Sequence, residues 1–209
     1  MDSKTENLKK IKENLVLFGK VCMPNMFSSA SPSFHYEIST RLMNEDIKQI
    51  NIVAPRGHAK SSIVGGVFPL YHLMFHGGQK LIVLVSRTQD HAIKLLGTLK
   101  DCLDYSSNFR SIFGYWGQYS AKQWSKSEIE LKDGSMVICK GTGQQLRGIK
   151  KGNQRPTLII VDDPECITLP RPAAWPYSGH WHSAAPALYC RDLKRDEGLG
   201  EYALCPESG

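Results

Sequence analysis

The stretch Asn51 to Val64 reads NIVAPRGHAKSSIV, with a proline, an arginine and a glycine in a tight turn and Lys60, Ser61 and Ser62 opening a helical pattern. Residues of those types in that order suit an oxyanion. A strand turning sharply into a helix aims successive backbone N–H groups and the positive end of the helix dipole at one point. Lys60 would reach the outer phosphates of a nucleotide, Ser61 would offer its hydroxyl to Mg2+, and Arg56 would add a second cation at the same phosphates. The candidate nucleotide-binding set is therefore Pro55, Arg56, Gly57, His58, Ala59, Lys60, Ser61 and Ser62. The usual pattern, G-x-x-x-x-G-K-[ST], has its two glycines where this chain has Ala54 and Ala59. Alanine keeps the N–H that the site needs, but a positive φ at Ala59 would strain it. A strand, turn and helix with no ligand is the reading that stays open on these residues alone.

Far downstream, TLIIVDD at 157–163 ends an aliphatic run in two carboxylates. Phosphoryl transfer needs one acidic group to hold the metal and one to orient the attacking water. Asp162 is placed for the first role and Asp163 for the second. Glu165 is the reserve for the second, brought round by a turn at Pro164. With Lys60 and Arg56, Asp163 and Glu165 make up the candidate catalytic residues; Ser61 and Asp162 are the candidate metal ligands.

The elements that must position these groups follow from periodicity. Leu8, Ile11, Leu15 and Phe18 predict one amphipathic helix over 5–20, and SSASPSF at 28–34 reads as a loop. A helical segment HYEISTRLMNED precedes a strand at about 48–54. A helix then runs from Lys60 to about Phe75 and stops at Gly77-Gly78. KLIVLVS at 80–86 is continuously apolar, as a buried parallel strand requires. Thr88 can cap a helix carrying Ala92, Leu95, Leu96, Leu99 and Leu103. EIELKDGSMVIC at 128–139 predicts a hairpin turning at Asp133-Gly134. A glycine-rich basic loop at 141–156 leads into the aliphatic-Asp-Asp strand. Strands alternating with helices imply an α/β fold with a mostly parallel sheet covered on both faces, and ligands at the carboxyl ends of the strands.

Composition narrows the class. A 209-residue chain with 41% hydrophobic and 22% charged residues suits one sizeable α/β domain, or one domain plus an appendage. Its longest aliphatic runs fall far short of the roughly 20 residues that cross a bilayer, and the charged N-terminus lacks a secretory segment, so a cytosolic protein is expected. The six cysteines form no CxxC pair and are expected to be reduced and structural. A net charge of +6 is compatible with a polyanionic partner.

Three blocks, APRGHAKSS, LIVLVSRTQDHAIKLLGTLKD and GTGQQLRGIKKGNQRPTLIIVDDPE, occur in that order over roughly residues 30–165. They resemble the ATPase domain of the large terminase subunits of tailed bacteriophages. The phosphate loop of that family commonly reads P-R-G-x-[GA]-K-S, which accommodates Ala59. The resemblance implies a RecA-like P-loop fold and an ATP- and Mg2+-dependent motor that drives double-stranded DNA into a capsid. It further implies a portal protein and a small terminase subunit as partners, a homo-oligomeric ring on the portal, and the bacterial cytoplasm as location. It puts Arg147 in the Leu-Arg-Gly position, with a nucleotide- or DNA-sensing role. The division expected is a helical segment at 1–29, the ATPase domain at 30–165, and an irregular tail at 166–209 resembling neither the rest of the ATPase fold nor the nuclease domain. Nuclease activity is accordingly not expected. The alternatives are a non-catalytic remnant that binds nucleotide or DNA, and a helicase-like ATPase.

Smaller constellations carry less. His180, His182 and Cys190 are conceivable zinc ligands without a second paired motif. Lys150, Lys151 and Arg155 could track a DNA backbone or simply be solvated. His58 could donate to a phosphate or face solvent. Ser86-Arg87 receives no role, and Trp124 reads as core.

Overall fold

The computed structural model describes residues 3–27, 29–55, 57–146, 148–163 and 184–191; for residues 3, 4, 54, 55 and 184–191 it fixes the backbone alone. Helices α1 (Ser3–Glu13) and α2 (Leu15–Cys22) replace the single helix expected over 5–20. Asn14 causes the break: it is extended at φ −142°, and its side-chain oxygen accepts from the Leu17 N–H at 2.9 Å. That bond satisfies one of the donors that every helix start leaves orphaned. Helix α3 (Ser33–Met43) takes the place of HYEISTRLMNED and leads to strand β1 (Gln49–Pro55).

The helix after the loop begins at Lys60 but is not plain. Residues Ser62–Val67 form a π-helical stretch and α4 (Phe68–Phe75) completes it. Pro69 supplies the reason. It has no N–H for the Gly65 carbonyl, and its ring would clash there in a regular α-turn. The wider turn moves the bonding to Phe68 N–H on the Ile63 carbonyl.

Strand β2 (Leu81–Ser86) is buried at all six positions. Helix α5 (Gln89–Tyr105) follows, with Thr88 capping it as expected through its hydroxyl on the His91 N–H at 3.3 Å. Helix α6 (Ser107–Phe113), β3 (Gln123–Trp124), β4 (Glu128–Glu130) and β5 (Met136–Gly141) complete the middle of the chain. The β4–β5 hairpin turns at Gly134, whose φ is +85°. Strand β6 is Leu158–Asp162, and β7 is Ala184–Arg191.

The fold is α/β with a mixed sheet ordered β1-β7-β6-β2-β5-β4-β3. Its centre, β6-β2-β5, is parallel as expected. Both flanks are antiparallel, and β7 lies between β1 and β6. The tail expected to be irregular thus contributes an inner strand; its other residues, with His180 and His182, lie outside the described residues. Four strands, β1, β6, β2 and β5, run the same way, so Pro55, Asp162, Ser86 and Gly141 end at one edge of the sheet.

Ile82, Leu84, Val137, Cys139, Leu158 and Ile160 join the helices in one core cluster. The N-terminal helices are part of it through Ile11, Leu15 and Phe18, and the Phe18 ring meets Tyr71, Phe75 and Phe113 edge-on. Trp124 packs against this core, as read from the sequence, with the Lys100 ammonium 5.2 Å from its ring centre. Cys22, Cys102 and Cys139 are buried free thiols. Burial pushes Cys102 and Cys139 up to about 12, which keeps them protonated and inert. Among the described residues no helix is long and apolar enough to cross a membrane.

Candidate functional site

The turn between β1 and the following helix is built from two left-handed residues, Gly57 at φ +79° and Ala59 at φ +53°. Gly57 takes that conformation without penalty. Ala59 does not: a left-handed residue with a Cβ costs about 1–2 kcal/mol. Of the two ways in which alanine is tolerable here, a negative φ or a modest strain at a positive one, the structure shows the second conformation, with φ positive. The Ala59 carbonyl accepts the first helical bond, from the Ile63 N–H at 3.1 Å, so Lys60 and Ser61 form the first helical turn. Lys60 is only 8% exposed, its side chain turned into the molecule.

What it turns toward is the end of β6. The Ser61 hydroxyl donates to Asp162 Oδ1 at 2.7 Å, joining positions 101 residues apart. Burial holds the Asp162 carboxyl above its usual range; the Ser61 bond opposes this, Asp163 adds to it, and Lys60 and His91 pull it down. Lys60, Ser61, Asp162 and Asp163 are therefore gathered at the carboxyl edge of the sheet. Asp163 is exposed and left-handed at φ +49°, a conformation aspartate tolerates better than most residues. Among the described residues no cluster of three or more His, Cys, Asp or Glu could hold a metal by itself. A hydroxyl and one desolvated carboxylate instead suit Mg2+, which takes few protein ligands and completes its shell with phosphate and water.

A cavity of about 460 Å3 opens beside the turn, between Gly57, His58, Ala59, Ser62 and Ile63 on one side and the segment from Met26 to His35 on the other. Ser31 and His35 line it, and each keeps a buried polar atom, Oγ and Nδ1, without a hydrogen-bond partner among the described residues. His58 is exposed, and its ring leans on Phe34 with centroids 5.6 Å apart.

The other predicted residues fall elsewhere. Lys151 lies at the β4–β5 hairpin, at the opposite edge of the sheet, where its ammonium meets Glu130 at 2.7 Å and donates to the Gly134 carbonyl at 2.6 Å. That pairing holds the Glu130 carboxyl below its usual range. Lys150 and Arg155 are exposed. Arg56, Arg147 and Glu165 lie outside the described residues, as do the side chains of Pro55 and Cys190. Sequence reasoning missed His35, Ser31 and His91. Nothing in their spacing relates them to the loop; only the packing of α3 and the start of α5 does.

No protein-family model matches the chain, and no curated protein matches it.

Proposed function

We propose that the chain is an Mg2+-dependent ATPase of the P-loop type, the motor domain of a machine that packages double-stranded DNA into a viral capsid. The observation that carries the nucleotide half of this reading is the 2.7 Å bond between Ser61 and Asp162. It unites a lysine-bearing turn at a helix start with a carboxylate at a strand end, the two parts that an Mg2+-nucleotide site needs side by side. The DNA half comes from the resemblance of the three blocks over residues 30–165 to terminase large subunits, and the net charge of +6 agrees with it. A portal protein and a small terminase subunit are the partners that resemblance suggests.

In this reading Lys60 binds the outer phosphates, and the N–H groups of the first helical turn bind the bridging oxygens. Ser61 and Asp162 would hold Mg2+, which neutralises charge on the transferred phosphoryl group when bound. Asp163 orients the attacking water and takes its proton. Arg56, next in the chain to Gly57, offsets charge on the leaving group. The nucleoside end lies in the cavity lined by Phe34 and His35.

The test is ATP binding and turnover by the full chain. Lys60→Ala should lose both, and Asp163→Asn should bind ATP with parental affinity while turnover drops by about a hundredfold or more. Parental turnover in Asp163→Asn removes that residue from the mechanism. A second reading, nucleotide binding without hydrolysis, is favoured by the exposure of Asp163, since catalytic bases usually act in sites that exclude water. Binding by the unaltered chain with no turnover would establish it.

A further inference from the structure

We infer that His35 is a positioning residue for the phosphate turn, acting from α3 through the His58 carbonyl; the functional side of this inference rests on the nucleotide reading above. His35 is 8% exposed, and its Nε2 lies 3.0 Å from the His58 oxygen, 23 residues away. A carbonyl oxygen only accepts, so Nε2 carries the proton and donates. The ring packs against Phe34 in a T-shaped contact, and the His35 backbone carbonyl accepts from the Ser39 hydroxyl at 2.6 Å.

The place of this bond gives it a consequence. The His58 carbonyl and the Ala59 N–H belong to one peptide unit, which is planar and trans and points the two groups in opposite directions. Fixing the carbonyl from α3 therefore fixes the direction of the Ala59 N–H, the donor that leads into the first helical turn. The same peptide unit precedes the φ of +53° at Ala59. A left-handed alanine persists only where its surroundings over-determine it, and a buried imidazole on the preceding carbonyl is such a constraint. Glycine at this position would reach the same conformation unaided. In this chain, the alanine and the histidine work as a pair: the strained residue gives the turn its shape, and the ring from another element keeps it there.

The test uses His35→Phe, which keeps a ring but cannot donate, and His35→Gln, whose amide donates at a similar reach. Two quantities are read: hydrogen exchange of the Ala59, Lys60 and Ser61 amides in the nucleotide-free chain, and the affinity for ATP. His35→Phe should speed exchange in the turn selectively over β2 and weaken ATP binding about tenfold, the effect of losing one buried hydrogen bond. His35→Gln should restore both. Adding Ala59→Gly to His35→Phe should recover affinity, because glycine needs no restraint. Turn exchange unchanged in His35→Phe overturns the inference. Should His35→Phe not fold, the nitrogen-15 shifts of His35 in the unaltered chain decide: a proton on Nε2 upholds the assignment, and one on Nδ1 alone overturns it. If the unaltered chain binds no ATP, the functional reading above fails, whereas the exchange and tautomer results still judge the positioning role.

Discussion

At the scale of single residues, Ala59 and Asp162 are both held in states that cost stability. Ala59 gives up about 1–2 kcal/mol to its left-handed backbone, against which glycine would lose about 0.5–1 kcal/mol in chain entropy. Ala59→Gly should accordingly stabilise the protein by about 0.5–1 kcal/mol, and Ala59→Val, β-branched in the same conformation, should destabilise it by more than that. Urea unfolding measures both; equal stability of all three proteins would contradict the backbone assignment. Asp162 has its folded carboxyl raised above the ordinary value near 3.8, chiefly by burial. The folded state then binds the proton more tightly than the unfolded chain. Its destabilising contribution is absent below pH 3.8 and sets in as the pH rises to the raised value. Asp162→Asn should therefore raise the melting temperature at pH 7, and the gain should vanish as the pH is lowered toward 3.8. A gain that grows at low pH would reverse the sign and refute the burial argument. That Lys60, Ser61 and Asp162 come together was legible in residue type and order, because a lysine-bearing turn at a helix start and an acidic strand end are local patterns. His35 was not, since a long-range imidazole–carbonyl bond leaves no local trace.

At the scale of elements, the sequence located most helices and strands and mistook how two of them are built. The periodicity over 5–20 is continuous, and only the capping chemistry of Asn14 divides it. Across the π-stretch every residue from Ile63 to Val67 is apolar and buried, so the change of helical period is hidden, although Pro69 marks where it must occur. Close packing of α2 is hidden as well. A Cβ on Gly19 would come within 2.6 Å of the Phe27 ring and 3.0 Å of Val67. Gly19→Ala gains about 1 kcal/mol of helix propensity but must displace the partly buried Phe27 ring at the margin of the core, at about 1–3 kcal/mol. The net expectation is a loss of about 1 kcal/mol, part of which Phe27→Leu should return in the double variant. Thermal unfolding of the three proteins checks it, and a stabilised Gly19→Ala would mean that α2 and the segment carrying Phe27 are not in contact.

The whole molecule depends on a strand that sequence rules argue against. The segment AAPALYCR contains Pro186, and proline cannot donate to a sheet ladder, so it is normally confined to edges. Here it pairs with Val53 inside the sheet. The position matters because, among the described residues, β1 pairs with no strand but β7 and reaches β6 through it. The turn that carries Lys60 and the strand end that carries Asp162 are thus held side by side by residues from the far end of the chain. Ile52 of β1 is buried in the core while Val53, on the other face, is 55% exposed. A chain ending at residue 163 should consequently lose more than local order. Without β7 the β1 ladder has no partner, the Ser61–Asp162 bond has no fixed geometry, and β6, still paired with β2, is left with an open edge that favours aggregation. A chain ending at residue 191 keeps all three features. Urea unfolding and ATP binding of the two chains make the comparison. The longer should unfold cooperatively and bind like the parent; the shorter should have a lower midpoint and no measurable binding. Parental stability and affinity in the shorter chain would show that β1 and β6 find their places without the strand between them, and the site would then owe its geometry to the helices alone.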